Sequence, residues 1–429
     1  MSSRTHRISA VRAAPFVSFI ESFVVAALTA VLALGSLACS AADPIRVALI
    51  EQLSGPFANV SLVGARQFKV EVDVVNARGG VIGRRLEVVE LDNKGSAQEA
   101  TIQLQAAIDQ GIRIVAQASG SNVAHALNDA IAKHNARNPD RTVLFLNMGS
   151  LDPTLTNDKC QFWLFRFVPH GQMMIAAFAE ALARDRSVRR VYLMNQDYAW
   201  GQSVSRTARE LLAARRPDIE IVGDELHPMG KVKDFAPYVT KIAASKADAV
   251  ITGNWGNDLS LMVRAAKEAG LKVDFYALVG GLTGSPAAIG AVGDATVRAV
   301  QFWHVNIGES AYQDRALVSR TKFKEDCCWL PNHLVPVMLA AAIERAQSAD
   351  PLKVALALEG LRHEGPTGEV WMRPEDHQAM MPVYGVVFAK AGGPGVKYDA
   401  EGTGYGWKTE VRVDAKDNVP PVTCRVQRP

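Results

Sequence analysis

The stretch ADAVITGNWGNDLSLMVRAAKEAGLKVDFYA, Ala247 to Ala277, reads as strand, loop, helix and strand, and it decides the fold class. ADAVIT is a short apolar run with β-branched residues, the pattern of a buried strand. From Asn257 onward Leu259, Met262, Val263 and Ala266 recur at helical spacing, and Gly270 is placed to end the helix in a left-handed conformation. VDFYAL then opens a second apolar run. Strands separated by helices make a parallel sheet with helices on its faces. Trp255 stands in the Gly/Asn loop, just past the C-terminal end of a strand, and in open α/β sheets ligands bind at that edge. A large aromatic there predicts a wall or lid of a binding site.

The same alternation extends in both directions. IRVALI, LEVVEL, IRIVAQ, TVLFLN and FWLFRF form one strand series, and RVYLMN, IEIVGD, ADAVIT and VDFYAL form a second. Two series imply an α/β protein of two lobes, each a mainly parallel sheet with helices on both faces, joined by crossovers. The first crossover is expected at Arg166–Gly171 and another at Val297–Asn306. The expected organisation is a leader at 1–42, a first lobe from 43–168 and 301–372, and a second lobe from 169–300. GEVWM and MPVYGVVFA read as strands that cross back, so 373–429 would hold the second lobe's return strand and a C-terminal tail. The segment from Gly392, rich in Gly, Asp and Pro, reads as extended.

Composition narrows the function classes. The chain has 429 residues, 48% hydrophobic and 21% charged, with a net charge of +3. Much of that excess sits in the leader, where Arg4, Arg7 and Arg12 face only Glu21, so no concentrated basic patch is left for nucleic acid. The leader itself, basic residues followed by FVVAALTAVLALGSLA and the small residues SAA, reads as an export signal cut after Ala42. A lipid anchor on Cys39 and an uncleaved membrane anchor are the alternatives. Export makes Cys160, Cys327, Cys328 and Cys424 disulfide candidates, since none has metal-ligand spacing. Vicinal Cys327 and Cys328 are poor partners for each other. Sequence does not fix the connectivity; the expected pairing is Cys160 with Cys424, pinning the tail to the body, with buried free thiols as the alternative.

Catalytic patterns are missing from the sequence. There is no GxGxxG opening a helix after the first strand, no P-loop, no GxSxG and no HExxH. No enzyme activity, cofactor or metal is expected. What recurs instead is ligand-binding equipment at strand ends. Ser119, Gly120 and Ser121 lead into a helix and offer hydroxyl and N–H donors that suit an anion. Gly149 and Ser150 hold the equivalent place one strand over. Tyr198 and Trp200 follow RVYLMN as Trp255 follows ADAVIT, so aromatics from two loops would wall an apolar ligand portion.

These blocks, in order, resemble a known family. IRVALIEQLSGPFANVSLVGARQFKVEVDVVNARGGVIGRRLEVVELDNKGS, then ASGS, DYAWGQ and GNWGNDLSLMVRAAKEAGLK, are similar to the periplasmic leucine/isoleucine/valine-binding proteins over about Ile45 to Ala389. The resemblance implies a two-lobed clamshell that hands a small solute to an inner-membrane ABC permease and its ATPases, working as a periplasmic monomer. A membrane-coupled ligand sensor of the same fold is the alternative. Carried over, Ser119, Ser121, Gly149 and Ser150 would hold a ligand carboxylate, with Trp200 and Trp255 lining the second lobe and Phe57 near the SGP turn, where Val60 replaces a frequent tyrosine. The acidic residue that such proteins use to neutralise a ligand ammonium is replaced by Val279, Gly280 and Gly281, Gly280 being the site position. A carboxylate with an apolar or aromatic body fits that pattern, because an unpaired buried ammonium is costly. Otherwise Asp197, Asp258 or Glu51 must supply the charge.

Overall fold

A computed structural model of the protein describes residues 42–429 apart from 309, 327, 328 and 425. Residues 1–41 of the expected leader, with Cys39, and the Cys327–Cys328 pair lie outside the described residues. Strands β1 (Ile45–Glu51), β2 (Leu86–Asp92), β3 (Ile114–Gln117), β4 (Leu144–Asn147) and β5 (Leu164–Arg166) form the first sheet, in the order β2-β1-β3-β4-β5. Every pairing in it is parallel, with Ile45 opposite Leu86 and Val47 opposite Ile114. Helices α1 (Ala58–Ala77), α2 (Ala97–Asp109) and α3 (Ser121–Arg137) connect these strands. Because helices cover both faces, IVAQ of β3 and LFLN of β4 are buried at every position. The start of α2 is set locally: the Ser96 hydroxyl accepts the Glu99 N–H at 3.3 Å, the first half of a capping box.

The second sheet repeats the plan. Helix α4 (Gly171–Arg184) leads to β6 (Arg190–Gln196), α5 (Ala199–Arg215), β7 (Glu220–His227), α6 (Ala236–Ala244) and β8 (Ala249–Thr252). Then come α7 (Asn257–Glu268), β9 (Asp274–Ala277), the short α8 (Ser285–Ile289) and β10 (Val297–Gln301). Leu259, Met262, Val263 and Ala266 are the buried face of α7, and Gly270 adopts φ +69° just beyond it, as the spacing predicts. The chain then forms α9 (Ala311–Phe323), α10 (Pro331–Ala346), which packs on α1, and α11 (Pro351–Leu358). A small antiparallel sheet follows from β11 (Arg362–Gly365), β12 (Gly368–Met372) and β13 (Ala379–Met380).

Two expectations change here. GEVWM is not a strand that crosses back: it becomes β12 of the small antiparallel sheet, paired with its chain neighbours β11 and β13. The segment beyond Gly392 is not simply a tail: after β14 (Val383–Lys390) it forms β15 (Tyr405–Val413), antiparallel to β14. The second sheet is thus ordered β15-β14-β10-β9-β8-β6-β7. Strand β15 is an edge strand whose buried Trp407 and Val411 face inward while Lys408, Thr409 and Glu410 stay exposed. That polar edge hid it among turn residues.

The described crossings between sheets are knitted together. Arg166, wholly buried at the end of β5, donates its backbone N–H to His377 O at 2.9 Å and its Nε to Gln378 Oε1 at 2.8 Å. Its guanidinium also donates to Asp152 O at 2.6 Å and to the Thr156 hydroxyl. Cys160 and Cys424 form a disulfide with Cα atoms 5.8 Å apart, and near it Asn418 Nδ2 donates to Met173 O at 3.0 Å.

Candidate ligand-binding site

The C-terminal ends of the parallel strands in both sheets line one cavity of about 110 Å³. From the first sheet it receives Leu49 and Glu51 at the end of β1, the loop 118–121 after β3 and the loop 148–151 after β4. From the second it receives Tyr198 and Trp200 after β6, Trp255 after β8, and Val279, Gly281, Leu282 and Thr283 after β9. Helix α1 and the start of α10 close it with Val60, Ser61, Gln67, Trp329 and Asn332. Ser119, Ser121, Gly149, Tyr198, Trp200 and Trp255 therefore meet at one place. Ser150, Gly280 and Phe57 stand outside the lining.

Local geometry explains these placements. Asn147 Oδ1 accepts the N–H groups of Gly149 and Ser150, at 3.0 and 2.8 Å, and the resulting turn directs Ser150 into the interior, where it is 1% exposed. A Cβ on Gly149 would stand 2.6 Å from Ala118 O, so the loops after β3 and β4 meet backbone to backbone and need glycine there. Gly120 precedes α3 with φ +82° and no side chain to cap it, which leaves the first N–H groups of α3 without a capping acceptor. Gly280 packs onto the sheet, its would-be Cβ 3.2 Å from Ala277 Cβ, and Gly281 takes its place on the cavity wall.

The aromatic side is hydrogen-bonded into position. Trp255 Nε1 donates to the Tyr198 hydroxyl at 2.9 Å, and Trp200 Nε1 donates to Gly253 O at 3.0 Å. Burial pushes the Tyr198 phenol up, so it stays neutral. Trp329 Nε1 donates to Met148 O at 2.6 Å, bringing a third indole in from the first-lobe side. Phe57 sits behind Trp255, ring centroids 4.1 Å apart. That stack joins the start of α1 to the loop before α7, so Trp255 is at once a cavity wall and a contact between lobes.

Glu51 changes the electrostatics. It ends β1, is 2% exposed, and its carboxylate accepts the backbone N–H of Ala118 and, at 3.3 Å, that of Ser119. The Ser119 hydroxyl also bonds to it, and the Ser61 hydroxyl lies 2.5 Å from the Ser119 oxygen. Burial pushes the Glu51 carboxyl above the ordinary carboxylate range, opposed by Ser119 and by the N–H groups of Ala118, Ser119 and Gln52. Of the three acids weighed as counter-charges, only Glu51 reaches the cavity. Asp258 is buried on Gln196 Nε2 and Gly230 N, both 2.8 Å away, and Asp197 is exposed beside Gln202. No Lys, Arg or His lines the cavity among the described residues.

The model of the family described as periplasmic binding protein matches residues 44–393. The chain belongs to that family. Leu/Ile/Val-binding protein homolog 4 of Brucella abortus is 31% identical over 414 residues, covering 93% of this chain and 97% of that protein. The crystal structure of the leucine-, isoleucine-, valine-, threonine- and alanine-binding protein from Brucella ovis, in its closed conformation, superposes with a TM-score of 0.81. It is 30% identical, and the match covers 90% of this chain and all of that one. A solute-binding protein from Rhodopseudomonas palustris, solved with 3,4-dihydroxybenzoic acid, has the same fold at 16% identity, with a TM-score of 0.74 over 87% of this chain and 98% of that one. The family and these relatives are binding proteins, and the chain is not an enzyme. Among the described residues no helix is long and apolar enough to cross a membrane.

Proposed function

We propose that this protein is an exported solute receptor that captures a small carboxylate-bearing ligand between its lobes and delivers it to an ABC importer. The observation that carries the reading is the single cavity lined from both sheets, with hydroxyl and N–H donors on one side and aromatic walls on the other. The first N–H groups of α3, with Ser121 and the Gly149 loop, would address the ligand carboxylate. Tyr198, Trp200, Trp255 and Trp329 would enclose its apolar body. Closure follows from bridging: a ligand held by both walls stabilises the closed arrangement by contacts that the open one lacks. The Brucella ovis relative is named for binding leucine, isoleucine, valine, threonine and alanine, and the Rhodopseudomonas palustris one was solved with an aromatic acid, which supports a small-solute ligand.

A thermal-shift screen of the mature chain, stripped of co-purified solute by unfolding and refolding, tests this reading. A ligand at a hundredfold excess over its Kd adds about 2.7 kcal/mol of stability. Amino acids and small carboxylic acids are expected to include at least one such stabiliser, and Trp255→Ala is expected to abolish its effect. Stabilisation by none of them, or by compounds indifferent to Trp255, overturns the reading.

The stack behind the cavity gives a second expected result. Phe57→Ala removes an aromatic pair worth about 1 kcal/mol beyond its buried area. Because Phe57 touches Trp255 across the lobes, without lining the cavity, its loss should weaken binding about fivefold, within the same range. Calorimetry reads the affinity, and small-angle scattering should find the unliganded variant more open.

A further inference from the structure

The loop after β3 looks like an anion site in sequence, but its donors are already engaged. Both the N–H and the hydroxyl of Ser119, and the N–H of Ala118, are turned onto the Glu51 carboxylate. A ligand carboxylate placed there would meet another carboxylate with no cation near it, because no Lys, Arg or His lines the cavity among the described residues. Two carboxyl groups that share one buried site cannot both ionise freely. The aromatic lining has a matching preference: Trp200 and Trp255 from the second lobe and Trp329 from the first-lobe side line the cavity, and indole faces attract cations. A cavity with one acid, three indoles and no base is complementary to a positively charged group on an apolar body.

We propose that Glu51 is the specificity-determining residue of this cavity, pairing with a protonated nitrogen of the ligand and so selecting amine-bearing solutes over amine-free carboxylic acids. The proposal rests on the cavity being the solute site. The counter-charge then comes from the end of the first strand, while Val279, Gly280 and Gly281 leave the second lobe without one. The ligand lies with its nitrogen toward Glu51 and Ser119, and any carboxylate it carries is directed away, toward Ser121 and the start of α3. A buried acid already held by four donors is fixed in place, so the site is organised before the ligand enters.

The test is calorimetry on stripped wild-type protein and on Glu51→Gln with matched pairs: leucine against 4-methylpentanoate, phenylalanine against 3-phenylpropanoate, with the remaining amino acids and putrescine as further protonated amines. Wild type is expected to bind amine-bearing probes and to reject each amine-free partner. Glu51→Gln keeps the side-chain oxygen that accepts from Ala118 and should weaken binding of the amine-bearing probe at least about 30-fold, the effect of removing one partner of a buried charge pair. The wild-type comparison stands even if the variant folds poorly. Binding of an amine-free acid as tightly as its amino partner, or of no amine-bearing probe at all, overturns the proposal. A probe weakened by Trp255→Ala but not by Glu51→Gln removes the Glu51 assignment and leaves the cavity as the site. A probe indifferent to Trp255→Ala removes the cavity reading itself.

Discussion

Arg166→Met should destabilise the protein by about 3–5 kcal/mol, the range for removing one partner from a buried charged network. The side chain is wholly buried, and its donors reach Gln378 Oε1, Asp152 O, Pro153 O and the Thr156 hydroxyl. Burial pulls the guanidinium down to about 9, with Asp152 and Asp376 acting against that pull and Arg373 adding to it, so it remains charged at neutral pH. Methionine fills much of the volume but donates nothing, which leaves buried acceptors without partners. The loss falls at a crossing between the sheets, where Gln378 Nε2 also holds Val168 O at 2.9 Å. Urea unfolding measures it as a lower midpoint at unchanged slope. A loss below about 1 kcal/mol, at the level of a single ordinary hydrogen bond, means that water replaces the guanidinium.

Removing the Cys160–Cys424 disulfide is expected to cost about 3 kcal/mol. The bond spans 264 positions of sequence, so it restrains a very long loop in the unfolded chain. It also fastens the last segment, which is otherwise held by contacts such as Asn418 to Met173 O and Arg373 to Pro420 O, each 3.0 Å. The Cys160→Ser/Cys424→Ser double variant, compared with wild type under non-reducing conditions, reads the loss as a lower Tm. Limited proteolysis should then cut first beyond Val413. An unchanged Tm with early cleavage of that segment confines the bond's role to the tail.

What could be read from sequence was what local pattern determines. AVIT, IVAQ and LFLN announced buried parallel strands because both faces of each are covered, and Gly270 marked a helix end because only the residues around it are involved. The loops containing Ser119, Gly149 and Trp255 were legible as strand ends facing a cleft. Strand β15 was not, since its identity depends on β14, and its outward residues resemble those of a loop. Ser150 was misdirected for a similar reason: the Asn147 side chain curls the turn and points the hydroxyl inward. Glu51 was visible as a charged residue closing an apolar strand, but its contact with Ala118 lies 67 positions away. Periodicity cannot report such a contact; it follows from β1 lying beside β3.

The order in which the chain supplies its strands bears on how it folds. The first sheet is built from one contiguous run, Ile45 to Arg166, yet α10, which packs on α1, is made much later. The second sheet lacks β14 and β15 until Val413 has been reached. Pairings so distant in sequence form slowly, because loop closure costs entropy before any contact rewards it. The first sheet should therefore gain hydrogen-exchange protection early, while the edge of β10 turned away from β9 stays unprotected until its antiparallel neighbour β14 arrives. During that interval β10 is an open edge, and the last stretch of the chain protects it against pairing with another molecule.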